Sequence, residues 1–139
     1  MKPKRKIGIN EWVSSRIYIS EQSVHYAGGL VHGGYVITQF GDVGNLLMVM
    51  FDGDEGLLAA YKSIDLLEPI RAGQFLELKA KVIRIGNTSR DIALEAWCIA
   101  KPAGINNQPS AVDYLDEPIL VARAELVSVV RKEFQRYQD

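Results

Sequence analysis

The stretch of residues 33–50, GGYVITQFGDVGNLLMVM, constrains the fold more than any other part of the sequence. Its apolar residues recur at alternating steps of four and three, which places them in one stripe of a helix that turns by about 100° per residue. The stripe consists of Val36, Phe40, Val43, Leu47 and Met50. Other apolar residues surround the rest of the cylinder, a pattern typical of a buried helix. We therefore expect one long buried helix, whose polar residues and glycines argue against a membrane span.

Three polar residues of this helix, Thr38, Asp42 and Asn45, follow one another at steps of four and three on the side opposite the apolar stripe. A carboxylate on a buried helix costs free energy unless it is paired, hydrated in a cleft or protonated. Asp42 is therefore a candidate catalytic residue. The alternative is a structural carboxylate that caps a loop or pairs with an arginine.

The composition is that of one ordinary globular domain over residues 1–139. With 47% apolar residues and a net charge of −1, the chain has neither the basic excess of nucleic-acid-binding proteins nor the acidic excess of disordered ones. The single cysteine, Cys98, excludes an internal disulfide and a zinc cluster built on thiolates. The basic start of the chain lacks the apolar segment of a secretory signal. We expect a cytoplasmic protein that binds no metal, nucleic acid or membrane.

Alternating apolar and polar residues predict five strands, one before the helix and four after it. They cover residues 16–20, 57–67, 76–85, 92–98 and 119–130. The apolar phase shifts after Val82, which indicates a bulge, and Gly86-Asn87 is typical of a tight hairpin. The remaining segments include an N-terminal arm (1–14), a long loop (101–118) and a charged tail (131–139). One helix and a mainly antiparallel sheet predict an α+β fold in which the sheet curls around the helix.

Several motifs resemble those of the β-aminoacyl-CoA ammonia-lyases, a family with the hotdog fold, in which a curved antiparallel β-sheet wraps around one long central helix. They are the loop HYAGGLVHG, the helix segment QFGDVG, the loop DGDEGL, the stretch PIRAGQFLE, the turn GNTSR and a proline-containing loop with PSA and DYL. The similarity covers residues 25–130. Gly29 and His32 differ from the family pattern near the expected thioester site and leave room for a changed substrate or reaction.

The resemblance implies a lyase that reversibly eliminates ammonia from 3-aminobutyryl-CoA, or a similar 3-aminoacyl-CoA, to give crotonyl-CoA, as in lysine fermentation. It implies a homodimer or higher homo-oligomer that binds the acyl-CoA thioester at the dimer interface. It implies no cofactor apart from the coenzyme A of the substrate. Two alternatives remain open: a hotdog acyl-CoA thioesterase, in which a helix carboxylate activates water, and a non-catalytic acyl-thioester-binding protein.

The elimination requires a base for the proton next to the thioester carbonyl, a group that handles the amine, and donors for the enolate oxygen. Asp42 and Glu55 are the candidate bases, and the carboxylate that is not the base would bind the ammonium group. Backbone N–H groups at Gly33 and Gly34 are the candidate enolate donors, because a helix start has free amides and the positive end of the helix dipole.

The remaining candidates are polar side chains in the flanking loops. His25 and Tyr26 are candidate catalytic residues that would donate hydrogen bonds to the substrate or orient the carboxylate. The candidate substrate-binding residues are His32, Asn87, Ser89 and Arg90. Arg90, together with Arg71 and Arg84, is a candidate for binding the phosphates of coenzyme A. A purely structural role is the alternative for each of them.

Overall fold

The structure is a computed structural model that describes residues 1–139, and its regular part consists of one α-helix and seven strands. The helix is α1 (Gly33–Asp52). The strands are β1 (Val13–Tyr18), β2 (Val24–Tyr26), β3 (Leu30–Val31), β4 (Leu57–Leu66), β5 (Phe75–Ile85), β6 (Ser89–Pro102) and β7 (Val112–Val129). None of the helices combines the length and the hydropathy that a bilayer crossing requires.

Five strands form one antiparallel sheet in the order β1-β5-β6-β7-β4, while β2 and β3 form a separate small pair. The pairing of β5 with β6 shifts register between Val82 and Arg84, which confirms the expected bulge. Further shifts interrupt the pairing of β7 with β4 and with β6. Because bulges bend strands, these shifts curve the sheet around α1. The α+β arrangement is confirmed, and β1 and β4 remain as the two edges of the sheet.

The apolar stripe of α1 packs against the sheet and forms the core. Val36, Phe40 and Leu47 have no exposed surface. Burial of side chains of this size contributes about 1.5–3 kcal/mol each, which anchors the helix on the sheet. Gly44 is buried against the sheet, where a Cβ atom would meet Leu126 Cδ2 of β7 at 3.5 Å, an ordinary van der Waals distance.

The C-terminal end of α1 carries a buried ion pair. Asp52 is fully buried and receives two hydrogen bonds from Arg90 on β6, from Nε (2.8 Å) and from Nη2 (3.1 Å). Both chain termini dock at the same place, because Arg5 Nε donates to the carbonyl of Phe51 and the backbone N–H of Arg136 donates to the carbonyl of Asp52. The tail is therefore held against the helix rather than free.

The long loop expected over residues 101–118 is shorter in the structure. β6 continues to Pro102 and β7 begins at Val112, so only residues 103–111 connect them. Cys98 pairs with Ile119 and Ala100 pairs with Tyr114, so residues 115–118 form an extended bulge within β7. Pro118 lies in this bulge, where no ladder hydrogen bond is required of it, and its presence does not interrupt the strand.

Candidate active site

One cleft beside α1 brings together the two carboxylates that are the candidate bases. Asp42 and Glu55 both line this space, which has a volume of about 180 Å³ and which we call the carboxylate cleft. Asn45, three residues after Asp42 on the same helix face, lines it as well. Asn45 Nδ2 donates a hydrogen bond of 2.9 Å to Glu55 Oε1. The cleft thus presents two carboxylates, and one of them has a fixed orientation.

Asp42 is exposed, which corrects the expectation of a carboxylate on a fully buried helix. The helix face that carries Asp42 also leaves apolar side chains uncovered, since Leu46 is 42% exposed and Val49 is 41% exposed. Within one chain, the sheet covers only the stripe around Phe40. Asp42 remains a candidate because of its place in the cleft, not because of burial.

A second, larger cleft lies at the start of α1. We call it the helix-start cleft; it has a volume of about 340 Å³, and most of the residues that line it are apolar. The apolar ones include Val36, Leu66, Ile70 and Val121, and the polar ones are His32 and Glu68. A cleft of this size and polarity has room for a short acyl group.

Gly33 and Gly34 carry the backbone N–H groups that are the candidate enolate donors, and side chains of the same chain pack against both glycines. A Cβ atom on Gly33 would lie 2.6 Å from Leu66 Cδ1, and one on Gly34 would lie 3.1 Å from the ring of His32. The two glycines therefore admit Leu66 and the His32 ring against the first turn of α1. The Nδ1 atom of His32 is buried there without a hydrogen-bond partner.

His25 and Tyr26 lie near the start of α1 rather than in the carboxylate cleft. Both are exposed on β2, and the ring centroid of His25 is 4.9 Å from that of His32 and 4.8 Å from that of Tyr26. The aromatic loop residues thus gather beside the helix-start cleft. Arg71, also exposed, joins this group by donating from Nη1 to the carbonyl of Gly28 (2.8 Å).

Arg90 cannot contact the phosphates of coenzyme A, which corrects its expected role in substrate binding. Only 1% of its surface is exposed, and its guanidinium is committed to Asp52 and to the carbonyl of Gly86. The two neighbouring candidates lie in the hairpin: the carbonyl of Asn87 accepts a hydrogen bond from Gln135, and the carbonyl of Ser89 accepts one from the N–H of Gly86. These contacts serve the hairpin and the tail.

The candidate residues thus fall into separate groups within one chain. The carboxylate cleft and the helix-start cleft share no lining residue. Asp42 lies nine positions after Gly33 in α1, which corresponds to a rise of about 14 Å along the helix axis. One chain by itself therefore does not place the helix start and the carboxylates around a single small group.

Three polar residues of these clefts, Asn45, Ser128 and Glu68, are not among the candidates predicted from the sequence. Asn45 was visible in the spacing of the polar helix face, but the spacing alone did not reveal its contact with Glu55. Glu68 follows a strand and shows no periodic signal. Two other titratable groups belong to the core: burial raises the pKa of the Cys98 thiol and of the Tyr61 hydroxyl, which donates to the carbonyl of Ile37.

Comparisons with known proteins identify the family of the chain. Residues 28–100 match the family model of the thioesterase superfamily. Over 121 residues the chain is 41% identical to the 3-aminobutyryl-CoA ammonia lyase of Acetoanaerobium sticklandii, covering 87% of this chain and 95% of that protein. The β-alanyl-CoA:ammonia lyase from Clostridium propionicum superposes with a TM-score of 0.87 at 33% identity, over 95% of this chain and 93% of that one.

More distant structures share the fold alone. A hexameric thioesterase from Yersinia pestis superposes with a TM-score of 0.67 at 16% identity, over 89% of this chain and 90% of that one. The identity to the two ammonia lyases is at least twice as high, and it extends over nearly the whole length of each chain. The chain therefore belongs to the thioesterase superfamily, with its hotdog fold, and within it to the family of β-aminoacyl-CoA ammonia lyases.

Proposed function

We propose that the protein is a carbon–nitrogen lyase that reversibly eliminates ammonia from 3-aminobutyryl-CoA, or a similar 3-aminoacyl-CoA, to give crotonyl-CoA. The observation that carries the proposal is the carboxylate cleft, in which Asp42 and Glu55 meet in a chain of the ammonia-lyase family. A substrate with an ammonium group suits such a cleft, because one carboxylate attracts the cation while the other accepts a proton. The reaction requires no cofactor beyond the coenzyme A of the substrate.

In the proposed mechanism Glu55 is the base and Asp42 holds the ammonium group. Glu55 removes the proton from the carbon next to the thioester carbonyl. The electron pair of that C–H bond forms the new double bond, and the C–N bond breaks so that its electron pair leaves with ammonia. We assign the base to Glu55 because its hydrogen bond from Asn45 fixes its orientation, whereas Asp42 has no side-chain hydrogen bond in the cleft.

Two subunits would complete each site. The helix start and the carboxylates are about 14 Å apart in one chain, which is too far for both to contact one short acyl group. A second copy related by a two-fold axis can bring its helix start to the carboxylates of the first. Leu57 (78% exposed) and Leu58 (50% exposed) line the carboxylate cleft at the edge strand β4, where an apolar partner surface would cover them.

The proposed location is the cytoplasm. The sole cysteine is buried and unpaired, and a chain without disulfides suits a reducing compartment. A homodimer or higher homo-oligomer is the proposed assembly, with an acyl-CoA thioester as the small-molecule partner.

In the decisive experiment, the protein is incubated with crotonyl-CoA and ammonia. One assay measures the loss of the enoyl absorbance, and a second assay measures the release of free thiol. We expect loss of absorbance without thiol release. Glu55→Gln and Asp42→Asn should each lower the rate at least about 100-fold, in the range of general acid–base contributions. Asp54→Asn is the matched control, since the Asp54 carboxylate only accepts a hydrogen bond from the N–H of Gly56 within the loop.

Three outcomes would contradict the proposal. Release of free thiol, with no ammonia added to the enoyl double bond, would identify a thioesterase that uses the same cleft. Tight binding of the thioester without turnover would identify a binding protein. Wild-type rates in both carboxylate variants would remove Asp42 and Glu55 from the chemistry.

A further inference from the structure

Glu55 is held by a single neighbour. It lies in the exposed loop after α1, and the only hydrogen bond to its side chain is the one from Asn45 Nδ2 (2.9 Å). A glutamate in such a loop loses rotamer freedom only where a neighbour holds it. The amide of Asn45 occupies one carboxylate oxygen, Oε1, and leaves Oε2 without a hydrogen bond within the chain.

The chemical character of Asn45 matches the needs of a proton acceptor. A cationic neighbour would hold the carboxylate equally well, but its charge would favour the ionised form and weaken the base. An amide donor fixes the orientation without adding a charge. Asn45 is also a poor helix former in the middle of α1, so its presence there gains nothing for the helix itself.

We propose that Asn45 is a positioning residue, which acts through Glu55 by aiming the free Oε2 oxygen into the carboxylate cleft. The proposal rests on the role of Glu55 as the base in the proposed function. Asn45 itself does not transfer a proton. Its effect is on the geometry of the proton acceptor, so its loss should lower turnover more than substrate affinity.

The test is a double-mutant cycle of Asn45→Ala and Glu55→Gln. Asn45→Ala should lower kcat about 10- to 100-fold with KM changed by less than about twofold, as expected for the loss of a hydrogen bond to a charged group. In the Glu55→Gln background the same change should have little further effect, because the group through which Asn45 acts is already inactive. The cycle is measured on whichever reaction the wild-type protein catalyses, ammonia addition or thiol release.

Two further variants separate positioning from structure. Asn45→Asp keeps the shape but replaces the donor with a second negative charge beside Glu55, so kcat should fall below that of Asn45→Ala. Asn45→Gln keeps an amide donor one methylene further out and should recover part of the lost kcat. Gln135→Ala is the matched control, since the Gln135 amide donates only to the backbone carbonyls of Asn87 and Val130.

If Asn45→Ala lowers kcat by the same factor in the wild-type and in the Glu55→Gln background, the proposal is overturned. It is also overturned if a lower melting temperature accounts for the loss of kcat. Normal wild-type activity with an unchanged Asn45→Ala enzyme would overturn the role of Asn45 alone. A wild-type protein inactive in both assays would overturn the proposed function together with this role.

Discussion

At the scale of single residues, the two glycines in the middle of α1 differ in what surrounds them. Gly44 faces the side chains of Leu126 and Leu94, and a Cβ atom there would make ordinary van der Waals contacts with both. Gly41 has no atom within 4 Å of the position that a Cβ would occupy, so no contact within the chain requires a glycine there. A helical glycine costs about 1 kcal/mol relative to alanine. Gly41 lines the carboxylate cleft, and we attribute the glycine to the space that a bound substrate needs.

This interpretation predicts opposite effects of Gly41→Ala on stability and on activity. The free energy of unfolding should rise by up to about 1 kcal/mol, because alanine is the better helix former and its methyl group meets no neighbour. The KM for the acyl-CoA substrate should rise, because the methyl group occupies the wall of the cleft. Thermal unfolding measures the stability, and steady-state kinetics measures the KM. An unchanged KM in a more stable enzyme would show that the substrate does not approach Gly41.

At the scale of elements, α1 is held differently at its two ends. At its start, Leu66 and the ring of His32 pack against the glycines of the first turn. At its end, the buried pair of Asp52 and Arg90 joins the helix to β6. Removing one partner of a buried ion pair leaves an uncompensated charge, which typically costs 3–5 kcal/mol at the order of magnitude.

Arg5 Nη2 lies 3.9 Å from Asp52 Oδ1 and would still face the carboxylate, so Arg90→Met should destabilise the fold by up to about 3–5 kcal/mol. The KM for the substrate should stay unchanged at temperatures below unfolding. The double variant Arg90→Met with Asp52→Leu should recover much of the loss, because neither charge of the pair remains and Arg5 keeps its ion pair with Asp139. Urea denaturation measures the stability and steady-state kinetics measures the KM. A large rise in KM in a folded Arg90→Met enzyme would instead restore Arg90 as a contact of the coenzyme A phosphates.

At the scale of the whole molecule, the uncovered face of α1 and the edge strand β4 form one exposed surface around the carboxylate cleft. Leu46, Val49, Leu57 and Leu58 are the exposed apolar residues of this surface. Exposed apolar patches and unpaired strand edges on soluble proteins mark contact surfaces. If the active site is shared between two subunits, mixed dimers of two inactive variants should regain activity. If the site lies within one subunit, they should not.

The prediction concerns mixed dimers of two inactive chains. Glu55→Gln removes the proposed base, and Gly34→Val displaces the His32 ring and fills the helix start. If each site combines the helix start of one subunit with the carboxylates of the other, a mixed dimer contains one intact site. Co-expression of the two chains in equal amounts should then restore about one quarter of the wild-type rate, since half of the dimers are mixed and half of their sites are intact.

The control for this experiment is each variant purified alone, which should stay inactive at the same concentration. Leu57→Lys provides a second control, because a charge on the proposed contact surface should yield monomers in size-exclusion chromatography and abolish the activity. No recovery in demonstrably mixed dimers would place the complete site within one subunit.

Local patterns in the sequence were sufficient for the elements and the family. The apolar stripe from Val36 to Met50 predicts α1 to within two residues of its observed end, and the phase shift after Val82 predicts the bulge in β5. Both signals depend only on the repeat of the helix or the strand, which is a property of the backbone. The family motifs are likewise contiguous, and the comparisons confirm the resemblance and the hotdog fold.

The tertiary structure decided what each polar side chain contacts. Arg90 and Arg71 look alike in the sequence. Arg90 is buried against Asp52, which lies 38 residues away along the chain, whereas Arg71 is exposed and donates to the carbonyl of Gly28. Asp42 lies on an apolar helix but is exposed, because the sheet covers only one side of α1. Periodicity determines which face of an element a residue occupies, whereas burial and pairing depend on what the folded chain brings against that face. For this protein the sequence therefore determined the helix, the sheet and the family, and only the three-dimensional packing joined Asn45 to Glu55 and separated the carboxylates from the helix start.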